Sequence, residues 1–147
     1  MPVIPGPTGT GGYSFGLNPM TPEKILVAPS PLIAIVDDDS GVRGSLDSLL
    51  RSAGMRGIGF AHAEDLLAST FSERVACVVT DLHMPGMTGL ELQSEMTRRG
   101  CAAPVILMTA FPTEAAQNQA MAGGATAFLV KPIDPDALLD AIESVLP

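Results

Sequence analysis

The hydrophobic positions of this chain fall into two alternating patterns. Short unbroken apolar runs mark strands buried on both faces; stretches with apolar residues every three or four positions mark amphipathic helices. Leu32-Ile33-Ala34-Ile35-Val36 reads as a strand and stops at Asp37-Asp38-Asp39. Val42, Leu46, Leu49, Leu50 and Ala53 then recur at helical spacing, and Gly54 supplies a stop. Gly57-Ile58-Gly59-Phe60-Ala61 predicts a weak strand at or near a sheet edge. A short helix follows from Ala63 to about Thr70, with Leu66 and Leu67 inward. Val75-Ala76-Cys77-Val78-Val79 is a strong strand ending at Asp81, and Leu90, Leu92 and Met96 mark a helix after Gly89. Pro104-Val105-Ile106-Leu107-Met108 is another, ending at Thr109, and Thr113 to about Ala122 predicts an alanine-rich helix closed by Gly123-Gly124. Thr126-Ala127-Phe128-Leu129-Val130 is the last strand and ends at Lys131. Asp134 caps a final helix with Pro135 in its first turn and Leu138, Ile142 and Val145 inward. Strands alternating with helices in this way predict a doubly wound α/β sheet with five of each.

Residues 1–31 break the pattern. Pro2, Pro5, Pro7, Pro19, Pro22, Pro29 and Pro31 are interleaved with Gly6, Gly9, Gly11, Gly12 and Gly16. Such a segment buries too little apolar surface to offset the entropy of ordering it, so it reads as a disordered leader. The alternative is a docking segment acting through Ile25-Leu26-Val27, and Met20 offers a second start. Residues 32–147 form the expected domain. The chain has no Trp, one Tyr and five Phe, so its core is aliphatic. A net charge of −8 without a basic patch argues against direct DNA or RNA binding. Cys77 and Cys101 lack metal or disulfide spacing and read as free thiols. No apolar run reaches membrane-spanning length, and the N-terminus lacks a signal-peptide layout, so the expectation is a soluble cytoplasmic protein without a membrane partner.

Candidate chemistry sits at the strand ends. Asp37 and Asp38, Asp81, Thr109 and Lys131 each follow or close a buried run, and a parallel sheet puts all these ends on one edge. Carboxylates gathered there repel one another unless a hard divalent cation joins them, and oxygen-only ligation suits Mg²⁺. Beside that cation Asp81 can act as a nucleophile toward a phosphoryl group. Lys131 can place a compact positive charge on a phosphate oxygen, and the Thr109 hydroxyl can donate to another. Taken singly, each residue has an ordinary role: Asp39 or Ser40 as a helix cap, Thr109 in a turn, Lys131 in solvent. Asp47, Asp65, Asp136 and Asp140 read as surface or capping acids, and His62 and His83 as loop or surface histidines. The Lys131-Pro132 bond is open to either isomer.

These residues carry a resemblance. Ile35-Val36-Asp37-Asp38-Asp39, the stretch from Thr80-Asp81-Leu82-His83-Met84-Pro85 to Gly89, Met108-Thr109-Ala110 and Phe128-Leu129-Val130-Lys131-Pro132 closely resemble receiver domains of two-component response regulators. The likeness extends from about Leu32 to Leu146 and is to the CheY-like superfamily, with a FixJ-type flavour in the second motif. It implies a flavodoxin-like (βα)5 sandwich with a parallel five-stranded sheet in the order 2-1-3-4-5. It implies phosphorylation of Asp81 by a sensor histidine kinase or histidine phosphotransfer protein. Asp38 and Asp81 would ligate Mg²⁺ (or Mn²⁺) by side chain and His83 by its backbone carbonyl, with Asp37 acting through metal-bound water. Thr109 would be the switch hydroxyl, Phe128 the aromatic that moves with it, and Lys131 the phosphate contact. The fourth helix, fifth strand and fifth helix would form the output face toward a downstream protein, and a phosphorylation-dependent homodimer is left open.

The sequence ends at Pro147, so the expectation is a single-domain regulator, with a piece of a longer one as the alternative. The expected protein is a phosphoacceptor rather than an enzyme, limited to self-phosphorylation and autodephosphorylation, with His83 and Phe111 tuning hydrolysis. Two other classes compete. One is a binding module of the same fold that ignores phosphate. The other is a phosphatase of the haloacid-dehalogenase type with Asp37 as nucleophile, but that scheme needs an acidic motif on a strand after the lysine, where this chain has only a helix.

Overall fold

Residues 30–147 are described by the structure, a computed structural model. In chain order the elements are β1 (Leu32–Val36), α1 (Ser40–Ser52), β2 (Arg56–Phe60), α2 (Ala63–Ala68), β3 (Cys77–Asp81), α3 (Gly89–Arg98), β4 (Val105–Thr109), α4 (Glu114–Ala122), β5 (Ala127–Val130) and α5 (Pro135–Glu143). The strands form one sheet in the order β2-β1-β3-β4-β5, and every pair is parallel. This is the expected 2-1-3-4-5 arrangement. The leader expectation for residues 1–31, including Ile25-Leu26-Val27, falls almost entirely outside the described residues.

Alternation along the strands sorts the core into two layers. Ile33, Ile35, Cys77, Val79, Ile106 and Met108 pack with Leu46 and Leu50 of α1 and Leu138 and Ile142 of α5. Ala34, Val36, Val78 and Leu107 face the other way, against Leu66 of α2, Leu92 and Met96 of α3 and Ala120 of α4. β3 and β4 are buried along their whole length, which explains their unbroken apolar character.

The helix starts follow from local chemistry. Asp39 caps α1, accepting from the backbone N–H groups of Gly41 and Val42. Thr88 and Glu91 form a reciprocal capping box on α3, and Thr113 and Asp134 cap α4 and α5. Gly54 follows α1 at φ +81°, in the left-handed region that favours glycine. Some boundaries shift. Val75 donates to Phe71 O in a turn, so β3 begins only at Cys77. α2 stops at Ala68 because Ser69 is extended and its hydroxyl turns back to Leu66 O. Leu67 is half-buried and packs against the core, inward as expected.

Edge strand β2 is weak for a specific reason. A Cβ at Gly57 would sit 2.7 Å from Asp47 Oδ1 and 2.9 Å from Ile35 Cδ1, and one at Gly59 would sit 3.2 Å from Arg43 Cδ. Both glycines let α1 lie close over the strand. Across the sheet, α3 and α4 are tied by a buried polar group, Gln93, whose Nε2 donates to Ala120 O at 3.0 Å.

The tightest approach lies where α3 begins. A Cβ at Gly89 would fall 2.5 Å from Asp81 O and 3.1 Å from Leu82 Cα, and backbone atoms there cannot step aside cheaply. Gly89→Ala is therefore expected to cost about 1–3 kcal/mol of stability through overpacking, measured by urea denaturation. An unchanged midpoint would show that α3 can shift freely against β3.

Candidate acidic site

Parallel pairing carries the strand ends to one edge and locks them there. Asp37 N–H donates to Phe60 O (3.0 Å), Leu82 N–H to Met108 O (2.7 Å) and Lys131 N–H to Thr109 O (2.8 Å), so the ladder runs on past the apolar residues. The carboxylates of Asp37, Asp38 and Asp81 each offer an oxygen within 4.8 Å of the others. Asp37 is fully buried, Asp81 nearly so, and Asp38 is exposed. Lys131 reaches in from the end of β5, with Nζ 2.8 Å from Asp37 Oδ2 and 3.4 Å from Asp81 Oδ1. The Lys131-Pro132 peptide, open at the level of sequence, is cis.

Asp37 is held on every side. Its Oδ1 accepts from Asp39 N–H (2.9 Å), its Oδ2 takes Lys131, and its carbonyl accepts from Arg43 Nη1 at 2.7 Å. That makes it an anchor, and it disfavours the phosphatase alternative, which needs Asp37 as a free nucleophile. Asp81 is less fully compensated. Burial is the largest influence and pushes its pKa up; Lys131 opposes this, and the Asp37 charge adds to it. Lys131 is itself affected by burial, which disfavours its charge, but the Asp37 bond and the two carboxylates outweigh this and raise its pKa.

One ammonium among three carboxylates leaves a net negative, oxygen-lined site. Its donors are hard, and it fits Mg²⁺ or Mn²⁺ better than a thiolate-seeking metal. Thr109 is fully buried at the adjacent strand end, where its Oγ1 accepts from Phe111 N–H at 3.0 Å and its own hydroxyl hydrogen remains to donate. Phe128, three residues before Lys131, is half-buried against the second core layer and pairs in register with Leu107. His83 stands exposed in the loop after Asp81, its ring edge-on to Phe111 with centroids 6.2 Å apart. Asp37, Asp38, Asp81 and Lys131 thus come together directly, while Thr109, His83 and Phe128 lie along the strands and loop around them.

Two residues with a part in this arrangement had not been singled out. Arg43 fixes the Asp37 backbone, and Glu64 of α2 accepts from Met87 N–H at 3.1 Å in the loop after Asp81. For Arg43 a signal existed: a glycine inside a strand, here Gly59, marks a close approach. The free thiols play no part in the acidic site, and burial pushes Cys77 up to about 12. Among the described residues no helix is long and apolar enough to cross a membrane.

A parallel sheet in the order 2-1-3-4-5 with carboxylates and a lysine converging at its carboxyl edge is the arrangement that the sequence resemblance implied. The response regulator receiver domain family matches residues 33–143, and the chain belongs to that family. It is 37% identical over 111 residues to nodulation protein W of Bradyrhizobium diazoefficiens, covering 76% of this chain and 49% of that protein. It is 38% identical over 114 residues to the transcriptional regulatory protein FixJ of Azorhizobium caulinodans, covering 78% and 54%. The structure of response regulator StyR superposes with a TM-score of 0.74 at 42% identity, covering 80% of this chain and 59% of that one. The chain therefore spans about half the length of these curated relatives. Receiver domains take phosphoryl groups from histidine kinases and signal to partners, and they generally bind Mg²⁺ at an acidic pocket.

The raised pKa of Asp81 fixes the sign of a pH effect. An acid whose folded value lies above its unfolded value, ordinarily 3.8, loses stability for the fold as pH rises from that value through the folded one, and does not regain it at neutral pH. In metal-free buffer Asp81→Asn is thus expected to resist urea better than wild type at pH 7. The difference should vanish below about pH 3.8, where the acid is protonated in both states. A less stable Asp81→Asn protein at pH 7 would mean that the Lys131 contact outweighs burial.

Proposed function

We propose that Asp81 accepts a phosphoryl group from a histidine kinase or histidine phosphotransfer protein and that the domain passes the change to a downstream protein. The observation that carries this reading is the meeting of Asp37, Asp38, Asp81 and Lys131 at one sheet edge. Asp38 and Asp81 would hold Mg²⁺ (or Mn²⁺) by side chain and His83 by its backbone carbonyl, with Asp37 acting through bound water. When bound, the cation would neutralise charge on the equatorial phosphoryl oxygens.

An Asp81 carboxylate oxygen attacks phosphorus as the P–N bond to the donor imidazole breaks; an acyl phosphate forms and the imidazole leaves. Lys131, already within reach of Asp81, then pairs with a phosphate oxygen. The Thr109 hydroxyl turns to donate to another oxygen, and Phe128 follows into the space it leaves. The surface formed by α4, β5 and α5 changes shape, biasing a two-state equilibrium toward or away from the partner. The exposed side chains of Met121 and Val130 lie on α4 and β5 and give that surface an apolar component. The reading makes the protein a cytoplasmic phosphoacceptor, not a turnover enzyme, and His83 and Phe111 flank the acceptor as candidates for setting phosphate lifetime.

Incubation with acetyl phosphate and Mg²⁺, followed by intact mass measurement, is expected to add one phosphate to wild type. Chelation of the metal, or Asp81→Asn, should abolish the adduct. A folded wild-type protein that takes no phosphate beside a working control receiver would favour the phosphate-independent module instead.

A further inference from the structure

We propose that Glu64 of α2 is a positioning residue for the loop after Asp81, setting the backbone of residues 82–88 so that a loop carbonyl can serve a divalent cation. The inference rests on the metal site of the proposed function and adds to it a side chain that touches neither metal nor phosphate.

The loop's two ends are fixed by backbone bonds: Leu82 N–H to Met108 O at 2.7 Å, and Gly89 N–H to Leu82 O at 3.0 Å. Between them, Met84 is buried in the core. The turn at Pro85-Gly86-Met87 is held from outside. Glu64 Oε2 accepts from Met87 N–H at 3.1 Å, a bond that spans 23 residues of sequence. The neighbouring glycine is matched to it. Gly86 sits at φ +78°, and a Cβ there would fall 2.6 Å from Glu64 Oε2. Gly86 thus leaves the space that the Glu64 carboxylate fills, and Glu64 supplies the acceptor that the turn presents its N–H to. Two backbone N–H groups, its own and that of Met87, also hold the Glu64 carboxyl below its ordinary range, so it stays a charged acceptor at neutral pH.

A carbonyl ligand is only as well placed as the loop that carries it. A side chain can adjust through its rotamers, but a backbone oxygen has none and moves with every change in the loop's dihedrals. Groups that orient metal ligands commonly change metal affinity by an order of magnitude or more when removed. Glu64 is also an acid near a cation site, so its charge and its hydrogen bond must be separated. Glu64→Gln does this, because it removes the charge and keeps an oxygen that accepts from Met87.

The test is Mn²⁺ titration of the unphosphorylated protein followed by electron paramagnetic resonance, together with hydrogen exchange at the Met87 amide by NMR in metal-free protein. Glu64→Ala is expected to weaken Mn²⁺ binding about tenfold and to remove protection at Met87. Glu64→Gln should stay close to wild type in both. Wild-type affinity in Glu64→Ala would overturn the inference. So would an equal loss in both variants with Met87 still protected in Glu64→Gln, because charge alone would then account for it. Failure of wild type to bind Mn²⁺ at all would bring down the proposed metal site and this inference with it, and the wild-type titration tells the two failures apart.

Discussion

Carboxylates crowded at a largely buried strand end stay charged only beside positive charge. That constraint governs the acidic edge of this sheet. Lys131 answers part of it, spending its nearest contact on Asp37 and only a longer one on Asp81. The division has a purpose in physical terms. Asp37, engaged by Asp39 N–H and Lys131, holds the corner in shape, while Asp81 is less fully compensated and so remains attractive to a cation.

The rest of the fold exists to make that corner rigid. Its acids and its lysine end or follow three strands, β1, β3 and β5, and the relative positions of those strands are set by parallel register. Helices on both faces bury the strands and fix the register, since a slip of one residue would exchange the two core layers. Close packing then limits what can move. Gly89 lies against the backbone of Asp81, and Gly57 and Gly59 bring α1 down over β2, so this end of the sheet has little freedom. By contrast α4 buries only Ala120 among its side chains, which leaves it the least anchored of the layers around the edge.

The sequence disclosed much of this because burial and strand ends have periodic signatures. Unbroken runs such as Val105 to Met108 identify doubly buried strands, and the polar residue that ends each run is then placed on the carboxyl edge by topology alone. Caps such as Asp39 and Asp134 are legible because their partners are two or three residues away. What stayed hidden is long-range and aperiodic. The Glu64 bond to Met87 and the Gln93 bond to Ala120 join side chains to backbone across elements, and no spacing rule announces them. Nor could residue types reveal that Lys131 would be shared unequally between Asp37 and Asp81, because that depends on rotamers at the end of a long flexible stem.

The ion pair between Asp37 and Lys131 joins positions 94 residues apart. On a chain synthesised from its N-terminus, the acids of β1 and β3 emerge well before the lysine that belongs among them. Until β5 docks, the acidic corner lacks Lys131, and β4 is paired on one side only, with β3. A nascent or clipped chain therefore lacks a finished pocket even when most of its sheet has formed. The site is thereby a checkpoint on completeness: only a molecule folded through its last strand presents the charge pattern of the whole.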